Sequence, residues 1–204
     1  MSFLATTLVI STAKAADFRL LVFGDSLTAG YGLPADQGFV PRLQAALKAH
    51  GLAVTVINAG VSGDTSADGL ARLDWTLAEP VDAAILELGA NDGLRGLDTG
   101  PLYDNLDGVL TKLGAKHIPV LLAGMLAPPN FGPEYTTQFK AVFTRLAQAH
   151  KVRFYPFFLD GVAGDKQLNQ ADGLHPNARG VEVVVEHILP SVEALIRSTT
   201  VKTE

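Results

Sequence analysis

A regular alternation of apolar runs with segments of helical spacing restricts the fold of this chain more than any other feature. Five of the apolar runs have the length of β-strands: residues 18–23, 53–59, 83–89, 118–124 and, more weakly, 152–157. Their hydrophobicity is continuous and does not alternate with polar residues. That pattern is typical of strands covered on both faces of a parallel sheet.

Apolar residues recur at helical spacing between these runs. The predicted helices cover residues 38–50, 66–78, 101–114, 133–151 and 177–198, and the last one is expected to be interrupted near Pro190. Strands that alternate with helices along the whole chain predict a doubly wound α/β layer structure. Because no internal repeat and no linker is visible, we expect a single domain over residues 17–204.

The N-terminus resembles a secretion signal. Residues 3–11 are apolar, and Ala13-Lys14-Ala15 has the small-x-small form of a signal-peptidase site. The apolar run is shorter than the roughly 20 residues of a membrane-spanning helix, so we expect no integral membrane span. A signal peptide over residues 1–16 predicts a periplasmic or secreted protein. No Lys or Arg precedes Phe3, so the alternatives are a signal that starts upstream or an apolar segment of a cytoplasmic protein.

Composition and missing motifs exclude several function classes. The formal net charge is −5 and no basic block stands out, which argues against nucleic acid as a partner. The chain contains no cysteine, and its five histidines show no paired ligand spacing, so we expect no metal site. Neither a P-loop nor a dinucleotide-binding glycine pattern occurs, so we expect no cofactor and disfavour a phosphate-binding module.

The chemistry of an open parallel sheet lies beyond the carboxyl ends of its strands. Small and polar residues follow each of the first four apolar runs and precede the last predicted helix: residues 24–32, 60–66, 90–96, 125–135 and 171–177. We therefore expect these five segments to meet at one edge of the sheet.

Ser26, Asp172 and His175 are candidates for nucleophilic catalysis. Asp172 and His175 are three residues apart, close enough for the carboxylate to bond one ring nitrogen while the other stays free to accept a proton from Ser26. Each residue also has an ordinary interpretation. Ser26 is in a usual position for a helix cap, Asp172 for a turn cap, and His175 for a surface residue before proline.

Two further segments offer hydrogen-bond donors for a developing oxyanion. Gly60 leaves its backbone N–H accessible to a ligand, although a tight turn with positive φ is the alternative reason for a glycine there. Asn91 offers an amide with two donors, although an Asx-turn is an equally ordinary role. Ser62, in Gly60-Val61-Ser62-Gly63-Asp64, falls one glycine short of the nucleophile elbow of α/β-hydrolases and is not our nucleophile.

These residues resemble the four sequence blocks of the GDSL or SGNH hydrolase family. The blocks correspond to Gly24-Asp25-Ser26-Leu27, Gly60, Gly89-x-Asn91-Asp92 and Asp172-x-x-His175-Pro176, and the resemblance extends over residues 18–197. It implies a three-layer α/β/α, flavodoxin-like sheet of about five parallel strands. The segments around the blocks are most similar to bacterial acyl-CoA thioesterases, lysophospholipases and arylesterases.

The resemblance also implies a role for each residue. Ser26 would be the nucleophile and His175 the base, with Asp172 orienting the histidine. The N–H groups of Ser26 and Gly60 and the side chain of Asn91 would bind the oxyanion. The activity implied is cleavage of carboxylic esters or thioesters through an acyl-enzyme. The alternatives are a carbohydrate O-deacetylase and a non-catalytic binding module on the same fold.

The substrate is expected to be a small-molecule acyl ester or thioester with a short-to-medium acyl chain. Residues predicted to contact it are Leu27, Gly93, Leu94, Met125, Leu126, Pro128 and Phe158, with Leu97, Phe131 and Phe157 as further candidates. Ordinary core packing is the alternative role for each of them. We expect a monomer or a weak homo-oligomer.

Overall fold

The computed structural model describes residues 18–200. The predicted signal segment, residues 1–16, lies outside the described residues. Five parallel strands form one sheet in the order β2-β1-β3-β4-β5. The strands are β1 Phe18–Gly24, β2 Val54–Gly60, β3 Ala83–Glu87, β4 Val120–Ala123 and β5 Arg153–Tyr155. This is the flavodoxin-like order, so the predicted fold class is confirmed.

Seven α-helices connect and cover the strands among the described residues. They are α1 Ser26–Ala29, α2 Phe39–Ala49, α3 Ser66–Thr76, α4 Ala90–Leu94, α5 Thr99–Ala115, α6 Gly132–His150 and α7 Ala178–Thr200. Helices α2 and α7 pack against each other, whereas α5 packs against both α3 and α6. The sheet therefore lies between two helical layers. No helix within residues 18–200 combines the length and the apolar character needed to cross a bilayer.

The central strands are buried as predicted, but the edge strand β2 is not. All residues of β3 and β4 are buried, and Arg19 is the only residue of β1 that is partly exposed. In β2, Thr55 and Asn58 are exposed. An edge strand has a neighbour on one side only, so the covering helices do not reach its whole outer face.

The predicted interruption of the last helix near Pro190 is wrong. Helix α7 runs through Pro190, which lies on its exposed face. Proline removes one intrahelical hydrogen bond and leaves the carbonyl of Glu186 without its partner. Because Glu186 is exposed too, water can satisfy that carbonyl. The apolar face of the same helix, which includes Ile188 and Val192, stays buried in the core.

Candidate active site

Ser26 lies at the carboxyl edge of the sheet, where β1 ends and the single-turn helix α1 begins. Asp25 caps this helix, and its Oδ1 accepts a hydrogen bond of 3.0 Å from the Leu27 N–H. Gly30 ends the helix in the left-handed region, at φ 81°. The N–H groups of Gly30 and Tyr31 both donate to the Ser26 carbonyl at 3.1 Å. The turn around Ser26 is thus fixed on both sides.

Gly24 and Gly60 are required by close packing and not by unusual backbone angles. The two glycines are paired across β1 and β2, and neither is among the positive-φ residues of the described chain. A Cβ atom on Gly24 would collide with the Thr28 hydroxyl and the Glu87 carboxyl, and one on Gly60 would collide with the backbone N of Ala29. The tight turn with positive φ that was the alternative reason for Gly60 is therefore not observed.

A chain of hydrogen bonds links Ser26, His175 and Asp172. The Nε2 atom of His175 lies 2.9 Å from the Ser26 Oγ, and its Nδ1 atom lies 2.7 Å from the Asp172 Oδ2. The other oxygen of Asp172 accepts from the N–H groups of His175 at 3.0 Å and Leu174 at 2.9 Å. Asp172 therefore caps the turn and contacts the imidazole at once, so its two proposed roles coincide.

The hydrogen bonds that Asp172 accepts keep its carboxylate ionised. The backbone N–H groups of His175 and Leu174, together with the imidazole, lower the pKa of Asp172 to about 2. An ionised Asp172 can only accept at the His175 Nδ1, so the proton of a neutral imidazole belongs on that nitrogen. The Nε2 atom is then the acceptor for the Ser26 hydroxyl. This arrangement can move a proton from the serine to the histidine.

Asn91 reaches the same edge from the first turn of α4, which follows Gly89 at φ 112°. Its Nδ2 donates to the carbonyl of Asp64 at 2.9 Å and, more weakly, to the Asp25 Oδ2 at 3.3 Å. These bonds use the amide donors, whereas an Asx-turn would use the side-chain oxygen as an acceptor. The Gly60 N–H donates to the Asn58 Oδ1 at 2.9 Å.

Two carboxyl groups lie fully buried beneath the serine turn. The Glu87 Oε2 accepts from the Thr28 hydroxyl at 2.7 Å and from the Asp25 N–H at 3.3 Å. Burial raises the pKa of Asp25 to about 6. Burial and the neighbouring Asp25 raise the pKa of Glu87 well above its usual range, so both oppose the ionisation of Glu87. The pair was not predicted from the sequence, although Glu87, an acidic residue inside the apolar run 83–89, was a signal for it.

A cavity of about 620 Å³ opens beside the serine and is lined by Ser26, Asn91 and His175. Six of the predicted substrate contacts line it too: Leu27, Leu94, Met125, Leu126, Pro128 and Phe157. A further part of the wall, formed by residues 159, 163–164 and 173–174, was not among the predicted substrate contacts. Residues 173–174 belong to the predicted histidine segment 171–177, whereas residues 159–164 show neither strand nor helix periodicity, so nothing in their pattern pointed to the site.

Four of the candidates for substrate contact lie outside this lining. Phe158 is buried in the core and packs edge-on against Phe39, with 4.9 Å between ring centroids. Gly93 is buried against Phe139, which a Cβ atom at that position would meet at 2.9 Å. Leu97 and Phe131 are exposed outside the cavity. Strand-end position alone cannot distinguish Phe157 from Phe158, because neighbouring side chains point in different directions.

No group of three acidic or histidine side chains that could hold a metal ion occurs within residues 18–200. Ser62 is exposed on the loop between β2 and α3, and His175 bonds to Ser26 instead.

Comparison with known proteins places the chain in a family. The profile of the GDSL-like Lipase/Acylhydrolase family matches residues 22–183. Over 190 residues the chain is 44% identical to Esterase TesA of Pseudomonas aeruginosa. The alignment covers 93% of this chain and 94% of the relative. It is 38% identical over 180 residues to an arylesterase of Vibrio mimicus, with 88% and 90% covered.

Two further relatives agree with this result. Thioesterase 1/protease 1/lysophospholipase L1 of Escherichia coli (strain K12) is 34% identical over 197 residues, with 96% of this chain and 93% of the relative covered. A crystal structure of TesA superposes with a TM-score of 0.83 at 43% identity, over 87% of this chain and 99% of that chain. The chain therefore belongs to the GDSL-like lipase/acylhydrolase family and is an enzyme with the SGNH hydrolase fold.

Proposed function

We propose that this protein is a serine hydrolase that cleaves carboxylic esters and thioesters of short-to-medium acyl chains. The observation that carries the proposal is the hydrogen-bonded chain from Asp172 through His175 to Ser26, at the mouth of a largely apolar cavity. Relatives named esterase, arylesterase and thioesterase support the same reaction class.

Acylation begins when the Ser26 Oγ attacks the carbonyl carbon of the substrate. His175 accepts the serine proton at Nε2, and the ionised Asp172 stabilises the resulting imidazolium. The tetrahedral intermediate then expels the alcohol or thiol, which leaves with the proton from His175, while the acyl group stays on Ser26. A water molecule then attacks the acyl-enzyme and gives its proton to His175, which returns that proton to the Ser26 Oγ as the acid is released.

The oxyanion is held by the N–H groups of Ser26 and Gly60 and by the Asn91 amide. Ser26 is the first residue of α1, so its N–H has no partner within the helix. The Gly60 N–H must turn from the Asn58 side chain towards the substrate, and the Asn91 amide must turn one N–H from the Asp64 carbonyl while Asp25 holds the other. Catalytic hydrogen bonds often form fully only when substrate is bound.

The cavity favours an acyl chain over a sugar. Leu94, Met125 and Leu126 supply aliphatic surface beside Ser26, and a hydrocarbon chain gains free energy by leaving water for such surface. A carbohydrate O-deacetylase would need polar side chains to hold the hydroxyl groups of its substrate. The acyl cavity therefore supports the ester and thioester hydrolase as the first candidate and the deacetylase as the second.

Two matched serine variants test the nucleophile. Ser26→Ala should abolish the burst of acyl-enzyme and lower kcat by several orders of magnitude, on the order of 10⁴-fold or more, because the attacking oxygen is lost. Ser62→Ala changes an exposed serine on a neighbouring strand-end loop and should keep most of the activity. A Ser62→Ala variant that loses turnover while Ser26→Ala retains it would contradict the assignment. Rates and burst amplitudes on a p-nitrophenyl ester provide the measurement.

We further infer that residues 1–16 direct the protein to the periplasm or to the outside of the cell. The apolar residues 3–11 and the small residues Ala13 and Ala15 support this inference. The test is the intact mass of the protein isolated from each cell fraction. A mature form beginning near residue 16 outside the cytoplasm supports export, whereas a full-length cytoplasmic form overturns it.

A further inference from the structure

Tyr31 is an exposed aromatic residue in contact with the imidazole of His175. The two ring centroids lie 4.7 Å apart, with an angle of 40° between the planes. Tyr31 is nevertheless 54% exposed to solvent. It lines a small recess beside Ser26 and His175 and does not line the large cavity that we assign to the acyl chain. Tyr31 therefore occupies a different side of the site.

The backbone of Tyr31 is fixed to both halves of the site. Its N–H donates to the Ser26 carbonyl at 3.1 Å, and its carbonyl accepts from the Gln170 Nε2 at 2.8 Å. Gln170 in turn holds the histidine loop. Its backbone N–H donates to the His175 carbonyl at 2.7 Å, and its side chain donates to the Pro176 carbonyl at 3.0 Å. The backbone that carries the Tyr31 ring is thus held in place, while the ring contacts His175 and stays partly exposed.

The reaction brings the leaving group to this side. His175 must deliver its proton from Nε2 to the departing oxygen or sulfur, so the first atoms of the leaving group pass next to the imidazole. The acyl chain is assigned to the cavity, whose lining does not include Tyr31. An aromatic leaving group next to His175 would find the free surface of a ring that needs no rearrangement. Aromatic rings attract one another in offset and tilted arrangements.

We propose that Tyr31 forms a subsite for the aromatic alcohol portion of an ester and makes the enzyme prefer aryl over alkyl leaving groups. This inference rests on the proposed function, because it assumes that His175 protonates the leaving group. Tyr31 would act by direct contact with the substrate, not through the position or basicity of the histidine.

The test compares two butyrate esters whose leaving groups are similarly acidic, phenyl butyrate and hexafluoroisopropyl butyrate. Both form the same acyl-enzyme, so kcat/KM reports acylation and the leaving group alone. Replacing Tyr31 by Ala should lower the ratio of kcat/KM for the phenyl ester to that for the alkyl ester by about three- to tenfold, which is the contribution of one aromatic pair. Tyr31→Phe keeps the ring and should keep the ratio.

A remote exposed aromatic provides the control. Trp75 is 82% exposed near the C-terminal end of α3, at the opposite edge of the sheet, and Trp75→Ala should leave both rates unchanged. An equal loss on both esters with Tyr31→Ala, or no loss on either, overturns the subsite. Failure of the wild-type protein to cleave either ester overturns the proposed function itself, so the two failures are distinguishable.

Discussion

Asp25 and Glu87 link the serine turn to the interior of the sheet. Asp25 touches three parts of the site, because it caps α1 through Leu27, accepts from Asn91 and donates its N–H to Glu87. Glu87 lies buried beside it, and both burial and the nearby Asp25 oppose the ionisation of Glu87. A charge on Asp25 therefore raises the free energy of a second charge on Glu87.

The ionisation of Asp25 should appear in the pH profile. Above a pH of about 6 its carboxylate holds the Asn91 amide, and below that pH it is protonated and this support weakens. Protonated His175 cannot accept the Ser26 proton, so two groups lower the rate on the acid side. We expect kcat/KM to fall more steeply with decreasing pH than a single ionisation allows.

The variant Asp25→Asn isolates this contribution. It keeps an oxygen for the Leu27 N–H but loses the charge. At acidic pH its kcat/KM should therefore fall with the slope that a single ionisation gives. At alkaline pH its kcat should be about tenfold lower than that of the wild type, the equivalent of one lost hydrogen bond. An acid limb of equal slope in both proteins would show that Asp25 does not titrate in the working range.

Glu87→Gln should stabilise the protein at alkaline pH. The folded pKa of Glu87 lies above its unfolded value, so its contribution to stability is complete at low pH and declines as the pH rises. Each pKa unit of difference between the two states corresponds to about 1.4 kcal/mol. Glutamine keeps the acceptor for the Thr28 hydroxyl and has no such decline.

Urea unfolding at pH 4.5 and pH 8 should therefore show a gain for Glu87→Gln that is larger at the higher pH. The exposed Glu79→Gln provides the control and should show no such difference. An equal effect of Glu87→Gln at both pH values would mean that Glu87 does not resist ionisation in the folded protein.

The long elements were predictable because each one carries a complete periodic pattern. All five predicted strands and five predicted helices are present, with bounds that differ by at most a few residues. The single-turn helices α1 and α4 are too short to show an apolar period, and their positions depend on glycines and on caps at the sheet edge. Asp172 and His175 are near each other in sequence, so their contact was predictable. Tyr31 meets His175 only through the fold, so that contact was not.

Pro190→Ala should stabilise α7. Alanine restores an N–H to the exposed face of the helix, so the carbonyl of Glu186 regains its partner, and proline is the least favourable residue in a helix interior. We expect the free energy of unfolding to rise by about 1–3 kcal/mol in urea titrations.

Pro80→Ala changes an exposed proline in the α3–β3 loop and should instead lower stability slightly, since it makes the unfolded chain more flexible. A loss of stability with Pro190→Ala would show that the proline is required in the folded helix.

The acyl cavity exists only in the folded molecule as a whole. Its wall combines the loops after β3 and β4, the segment after β5 and the histidine loop, which are distant in sequence. Strand-end position predicted which loops meet, but it did not predict which side chains face inward. Leu94 and Leu97 show the difference. Leu94 is the last residue of α4 and Leu97 follows three residues later; they are 38% and 41% exposed, yet only Leu94 lines the cavity.

The acyl chain length that the enzyme prefers should follow from this cavity. Each methylene that leaves water for the apolar wall should contribute up to about 0.8 kcal/mol, so kcat/KM should rise from acetyl to medium-length esters. The gain should then level off or reverse for chains that extend beyond the apolar wall, because the remainder of such a chain stays in water. Leu94→Ala removes part of the wall and should reduce the gain for medium chains more than the rate for acetyl. Leu97→Ala, three residues further along the chain and outside the lining, should leave the profile unchanged. The measurement is kcat/KM for p-nitrophenyl esters of increasing chain length on the wild type and both variants. Strict acetyl specificity that survives Leu94→Ala would favour the deacetylase instead, because an acetyl group is too short to use the wall that Leu94 provides.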